Sequence, residues 1–210
     1  MIAGIRFGDS VRIVDEIPTE REAELKDSVK QAQSIVGTSP GRPNDDFYPT
    51  PPEATKALLD IWKFKNNIWE CACGDGAMSN VLNDYGYNVI STDKYNHGYG
   101  TPGIDFLTVT NRYADTIITN PPFKRAEEFI YHAYEIGINN MALFLKLSFL
   151  EGQKRKKMFE RLPFTKAFVF SKRLTLTRNG EPSRNGGMIA YAWYLWDFSF
   201  TDCESRIGWI

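Results

Sequence analysis

A chain of 210 residues, 42% hydrophobic and 14% aromatic, is too apolar for a disordered or fibrous protein and long enough for one full domain. The net charge of −1 names no partner by itself, but residues 146–184 carry eleven Lys/Arg against three Asp/Glu, while the rest carries fourteen against twenty-three. That stretch is either a surface for an anionic partner or a solvated helix face. Three cysteines exclude a disulfide framework. Cys71 and Cys73, with only Cys203 and two histidines elsewhere, have poor zinc spacing, so no metal is expected. No apolar run approaches the roughly 20 residues that cross a bilayer, and the first residues lack a basic-then-apolar signal pattern. A cytoplasmic protein without membrane contact is expected.

Residues 1–45 read as an extension. Thr19 and Glu22 form a capping box, and Leu25, Val29, Ala32 and Val36 share one stripe of a helix of about 16 residues. The Gly/Pro-rich residues 37–46 form a linker. From residue 46 on, one domain is expected. Pro51 and Pro52 precede a helix with Ala54, Ala57, Leu58, Ile61 and Trp62 on one face. Strands are predicted at 67–71, 87–92, 115–119, 140–147 and 166–170, with a final one at 188–196. Helices are predicted at 77–85, 124–136 and 151–162. Alternating strands and helices imply an α/β fold, a doubly wound, mostly parallel, seven-stranded Rossmann-like sheet covered on both faces.

The first strand runs into Glu70-Cys71-Ala72-Cys73-Gly74-Asp75-Gly76, and a helix follows at once. Small residues and glycines let backbone pass close to a ligand, and in a doubly wound sheet this turn lies where ligands bind. No Gly-Lys-Ser/Thr follows, so it is not a phosphate loop. The second strand leads to Asp93, about 20 residues on, where a carboxylate can accept both hydroxyls of a ribose. Asp105 can accept from an adenine amine, with Phe106 stacking on the ring. Together the three sites suggest an adenosyl ligand without a polyphosphate, and S-adenosylmethionine fits that description.

Asn120-Pro121-Pro122-Phe123 directly follows a predicted strand. An aromatic amine such as adenine N6 is a poor nucleophile, because its lone pair is delocalised into the ring. Two acceptors aimed at its hydrogens favour a more pyramidal, electron-rich nitrogen. Asn120 can offer its side-chain oxygen and Pro121 its backbone carbonyl. The prolines stiffen the loop, and Phe123 can stack on the base. No nucleophilic cysteine is required, so Cys71 and Cys73 read as packing residues.

With these residues the chain resembles the class I S-adenosylmethionine-dependent adenine-N6 DNA methyltransferases, specifically the small phage and mobile-element type. The resemblance covers residues 47–200 or so. Tyr48-Pro49-Thr50-Pro51-Pro52-Glu53 matches the opening motif, in which the threonine contacts the methionine part of the cofactor. The resemblance implies cofactor contacts from Tyr48, Thr50, Glu70, Cys71, Ala72, Gly74, Gly76, Asp93, Asp105 and Phe106. It makes Asn120, Pro121, Pro122 and Phe123 the catalytic tetrapeptide. The order of the motifs is similar to the gamma arrangement. Members with a separate recognition domain are much longer, so site preference is expected to come from short loops or a partner subunit, or to be low; a homodimer or a partner subunit is the expected assembly.

Residues 172–187 connect two predicted strands with far more chain than the 2–5 residues of a hairpin. With Arg173, Arg178 and Arg184 this loop is the candidate recognition element, seconded by Lys154, Arg155 and Lys157 on the basic helix. His97 reads as a surface-loop residue or one at the cofactor entrance, and His132 as structural. RNA adenine or a protein glutamine amide are alternative substrates for the same chemistry. A non-catalytic nucleic-acid-binding subunit retaining the fold is the alternative of another class. Phe at position 123 and the opening Thr-Pro-Pro tilt the reading toward DNA.

Overall fold

A computed structural model describes residues 48–175, 189–200 and 205–210, and the backbone of 177–178 and 181–182. The predicted N-terminal helix and its linker, Arg184 and Cys203 lie outside the described residues. The chain from Pro43 onward forms one unit by its contacts.

Pro52 opens helix α1 (Pro52–Ile61) at a position where its missing N–H costs nothing. Strand β1 (Asn67–Glu70), helix α2 (Ala77–Asp84) and strand β2 (Asn88–Asp93) follow. A two-residue strand β3 (Thr101–Pro102) precedes a one-turn 3-10 helix at Phe106–Thr108. Next come β4 (Thr116–Thr119), a 3-10 turn at Phe123–Arg125, and α3 (Ala126–Glu135). The remainder is β5 (Asn140–Lys146), α4 (Gln153–Arg161), β6 (Phe164–Val169), a short hairpin of β7 (Thr177–Arg178) and β8 (Glu181–Pro182), β9 (Tyr191–Asp197) and β10 (Arg206–Trp209).

The main sheet has eight strands in the order β10-β6-β9-β5-β4-β1-β2-β3. All neighbours are parallel except β9, which is antiparallel to both β5 and β6. The sheet is thus one strand larger than the seven expected. The strand predicted at 188–196 is not the last, because β10 adds to the edge beside β6. Arg206, Ile207 and Trp209 of β10 are exposed, so no buried apolar run marks this strand in the sequence.

Central strands covered on both faces need apolar side chains in both directions. Ile68, Ile118, Ala142, Phe144, Trp193 and Leu195 pack with Leu58 and Leu59 of α1 and Met78 and Leu82 of α2. Their neighbours in sequence, Trp69, Ile117, Met141, Leu143, Tyr194 and Trp196, pack on the other face with Phe129 and Ile130 of α3 and Met158 of α4. Burying each such large side chain contributes about 1.5–3 kcal/mol. The buried face of α1 departs from the predicted stripe. Thr55 and Leu59 are buried, whereas Ile61, its last residue, is 47% exposed.

The strand order reverses between β1 and β4. From β1 the chain proceeds outward through β2 to β3, then returns to place β4 on β1's other side. In open α/β sheets the loops leaving the strands on either side of such a reversal diverge and leave a crevice. The turn after β1 and the loop after β4 therefore meet, although about 50 residues separate them in sequence.

Candidate active site

At this reversal lies a cavity of about 300 Å³. It is lined by Tyr48 and Thr50, by Glu70, Cys71 and Ala72, by Asp93, by Asp105 and Phe106, and by Asn120, Pro121, Pro122 and Phe123. Two segments that sequence reading had to treat separately, the cofactor-type acids and the Asn-Pro-Pro-Phe loop, thus share one cavity. Gly74 and Gly76 are not in its wall; they shape the turn. Gly74 adopts φ +53°, and its N–H donates to Asp93 Oδ2 at 2.9 Å. Gly76, at φ +83°, caps α2, and a Cβ there would fall 2.4 Å from the Tyr99 ring. No other residue type fits both its backbone and its neighbour.

Asp93 ends β2 and is 7% exposed. Its Oδ2 accepts from Gly74, and its Oδ1 accepts from the Tyr95 N–H at 2.8 Å. Each carboxylate oxygen has a second lone pair for a ligand. His97 Nε2 lies 3.9 Å from Oδ1, and this histidine lines the cavity. Asp105 Oδ1 accepts from the Leu107 N–H, and its Oδ2 pairs with Lys94 Nζ at 3.0 Å. Burial opposes its ionisation, but Lys94 and the Leu107 N–H outweigh that and hold its carboxyl below the usual range.

Phe106 lines the cavity and is at the same time packed into the core. It is 1% exposed and packs against Trp69, Phe129 and His132, with ring centroids 5.2, 4.7 and 5.0 Å away. It is a core side chain that closes the apolar wall. His132 also hydrogen-bonds the Val109 carbonyl at 3.0 Å, as befits a structural residue. Tyr95, 46% exposed, is the aromatic at the cavity's solvent side.

Glu70 is 2% exposed. The Ser79 hydroxyl donates to it, and Ser79 and Ser91 share a hydrogen bond of 2.7 Å. Burial pushes the Glu70 carboxyl well above the usual range, and the nearby Asp93 and Asp75 push the same way. A carboxyl whose value rises on folding contributes stability below its unfolded value, about 4.5, and loses it as pH climbs beyond that. Glu70→Gln cannot ionise. The ligand-free variant is therefore expected to melt above wild type at pH 8, with the gap shrinking toward pH 4. Thermal unfolding at the two pH values checks this.

Burial pushes the Cys73 thiol up to about 12, with Glu70 and Asp93 adding to it, and burial likewise raises Cys71. Neither forms a thiolate at neutral pH, which suits packing residues. Among the described residues no cluster of three His, Cys, Asp or Glu side chains is placed to hold a metal.

Asn120 leaves β4 with its Nδ2 donating to the Tyr48 carbonyl at 3.1 Å and to Thr50 Oγ1 at 3.0 Å. Phe123 is half-buried. Lys146 Nζ lies 5.3 Å from its ring centroid, and the Tyr191 ring lies 6.2 Å away. Lys124 and Arg125 also line the cavity, Arg125 in an ion pair with Glu128 at 2.9 Å. Lys94, Tyr95, Lys124, Arg125 and Phe129 belong to this site and were not singled out from sequence. The signal was adjacency: Lys94 and Tyr95 directly follow Asp93, and Lys124 and Arg125 directly follow Phe123.

The basic residues farther along have mixed surroundings. Arg155 is held by Glu127 at 3.3 Å and by the Ser148 carbonyl at 2.9 Å, and lies over the Phe149 ring. Lys154 pairs with Glu127 at 3.1 Å but is 85% exposed, and Lys157 is exposed. Arg173 is exposed, and Arg178 lies in the β7–β8 hairpin, its side chain outside the described residues.

No protein-family model matches the sequence, and comparison with curated proteins finds no match. Solved structures do match. A protein from Vibrio vulnificus assigned as a modification subunit of a type I restriction enzyme aligns with TM-score 0.52 at 12% identity, over 93% of this chain and 53% of its own. A protein from Pyrococcus horikoshii assigned as an RNA methyltransferase gives 0.55 at 16%, over 73% and 88%. One from Agrobacterium tumefaciens assigned as an O-methyltransferase gives 0.51 at 11%, over 76% and 85%. The fold is that of the Rossmann-like methyltransferases. At these identities the likeness is one of fold, and the chain spans about half the length of the modification subunit. In this fold the cavity occupies the carboxyl ends of β1, β2 and β4, the place where an open α/β sheet binds its ligands.

Proposed function

We propose that the chain transfers a methyl group from S-adenosylmethionine to the N6 amine of adenine in DNA. The observation that carries this reading is the shared cavity, in which Asn120–Phe123 stand beside the buried acids Glu70, Asp93 and Asp105. The donor set fits the cofactor. Glu70, Asp75, Asp93 and Asp105 line one small cavity, an environment suited to a cation bearing hydroxyl and amine donors. Asp93 would accept from the ribose, Asp105 from the adenine amine, and Glu70 would face the cationic methionine end. When bound, S-adenosylmethionine supplies an electrophilic methyl on a positively charged sulfur.

On the substrate side the chain's task is to orient a weak nucleophile. Asn120 Oδ1 and the Pro121 carbonyl accept the two amine hydrogens and draw electron density onto the nitrogen. Pro121 and Pro122 limit the loop's freedom, and Phe123 packs on the base. A duplex hides adenine N6, so the base must leave the stack at a cost of a few kcal/mol. Lys124, Arg125 and Arg173 are placed in this reading to offset that through phosphate contacts. The restriction-system neighbour supports a nucleic-acid substrate, with target choice supplied by a partner subunit or by the loop at 172–187.

Incubating the protein with methyl-labelled cofactor and either DNA or RNA, then digesting to nucleosides, tests the assignment. Label in N6-methyldeoxyadenosine is the expected result. Label only in ribonucleosides would move the substrate to RNA. Label in neither, with no cofactor binding by calorimetry, would favour the non-catalytic subunit, and label in neither with cofactor bound would move the acceptor to a protein amide.

A further inference from the structure

We propose that Thr50 is a positioning residue for the methyl acceptor: with the Tyr48 carbonyl, its hydroxyl fixes which way the Asn120 carboxamide faces. The proposal rests on the function proposed above and gives a second role to a residue that the resemblance assigns to the cofactor.

The orientation follows from hydrogen-bond chemistry. A backbone carbonyl only accepts, so the atom 3.1 Å from the Tyr48 oxygen must be the amide nitrogen of Asn120. Its second hydrogen goes to Thr50 Oγ1 at 3.0 Å. Both donors are then occupied, and Oδ1, at the other end of the carboxamide, is left to accept. Without this clamp the terminal torsion of asparagine is broad and roughly two-fold. The amide would then present N–H to an incoming amine about as readily as oxygen, and a donor facing a donor is repulsive. The clamp therefore selects acceptors that bring N–H hydrogens to the site.

Thr50 can serve because it is itself held. It is 4% exposed and immediately precedes Pro51 and Pro52, which open α1. The Ala54 N–H donates to the Pro51 carbonyl at 2.9 Å, and the Ala54 carbonyl accepts from Trp193 Nε1 at 2.8 Å. Trp193 is fully buried in β9. The start of α1 is thereby pinned to the sheet, and through Thr50 it sets the geometry of a loop 70 residues away. A site group holds productive geometry only when its supporting contacts are rigid.

The test uses Thr50→Val, which keeps the shape and removes the hydroxyl, and Thr50→Ser, which keeps it. With the full chain, Thr50→Val is expected to lower kcat about 10- to 100-fold, while affinity for S-adenosylhomocysteine stays unchanged and Thr50→Ser recovers most of the rate. In an Asn120→Ala background Thr50→Val should add almost nothing, because there is no amide left to orient. The proposal is overturned if kcat is unchanged, or if lost S-adenosylhomocysteine affinity accounts for the whole effect. A nuclear magnetic resonance readout separates this from failure of the functional reading. The side-chain amide signal of Asn120 should move in Thr50→Val and return in Thr50→Ser even in a chain that methylates nothing. An unmoved signal in a folded Thr50→Val protein would refute the clamp.

Discussion

Asn120→Ala is expected to lower the rate of methyl transfer about 10²–10³-fold, by analogy with loss of one oxyanion-hole donor. In the proposed reaction the variant removes the acceptor that acts as the amine becomes nucleophilic, and it leaves Glu70, Asp93 and Asp105 untouched. The affinity for S-adenosylhomocysteine should therefore hold. A modest loss of stability, about 1 kcal/mol, is expected as well, because Nδ2 no longer meets Tyr48 and Thr50. Single-turnover transfer with saturating cofactor separates the two effects. A near wild-type rate would remove Asn120 from the chemistry.

Asp93→Ala should show the second-largest effect, and on a different quantity. Its two oxygens receive the Gly74 and Tyr95 N–H groups, at 2.9 and 2.8 Å. Removing them leaves donors unpaired at a site where Asp93 is 7% exposed, at about 1–3 kcal/mol each. The turn after β1 loosens, and in the proposed cofactor site the ribose loses its acceptor. Cofactor affinity is expected to fall about 5- to 150-fold, the equivalent of 1–3 kcal/mol. Asp93→Asn keeps one oxygen acceptor and should lose less. Calorimetry with S-adenosylmethionine, alongside thermal unfolding, reads both consequences. Wild-type affinity in a folded Asp93→Ala protein would place the cofactor elsewhere.

Much of this was legible because its signals are local. Asn120–Phe123 directly follow the strand β4, and Asp93 and Glu70 are the last residues of β2 and β1. What escaped depends on residues far apart in sequence. The Thr50–Asn120 contact spans 70 positions, and nothing near Thr50 announces it. Lys94 reads as an ordinary loop cation until Asp105 folds back to 3.0 Å from it. Phe106 both lines the cavity and packs in the core, and its contacts with Trp69, Phe129 and His132, distant in sequence, are what seat it there. Strand β10 is short and mostly exposed, so it lacks the apolar run that marks a buried strand. Periodicity puts Ile61 on the same face as Ala54 and Leu58, but α1 ends there, leaving Ile61 exposed while Leu59 is buried.

The central claim is that one cavity joins cofactor and target amine, and that the amine belongs to DNA adenine. Mapping modified bases in the DNA of a methylation-free host strain expressing either the wild-type chain or Asn120→Ala tests it most directly. N6-methyladenine with wild type and its absence with the variant is the predicted result. A different modified base, or N6-methyladenine persisting at equal level with Asn120→Ala, would contradict it.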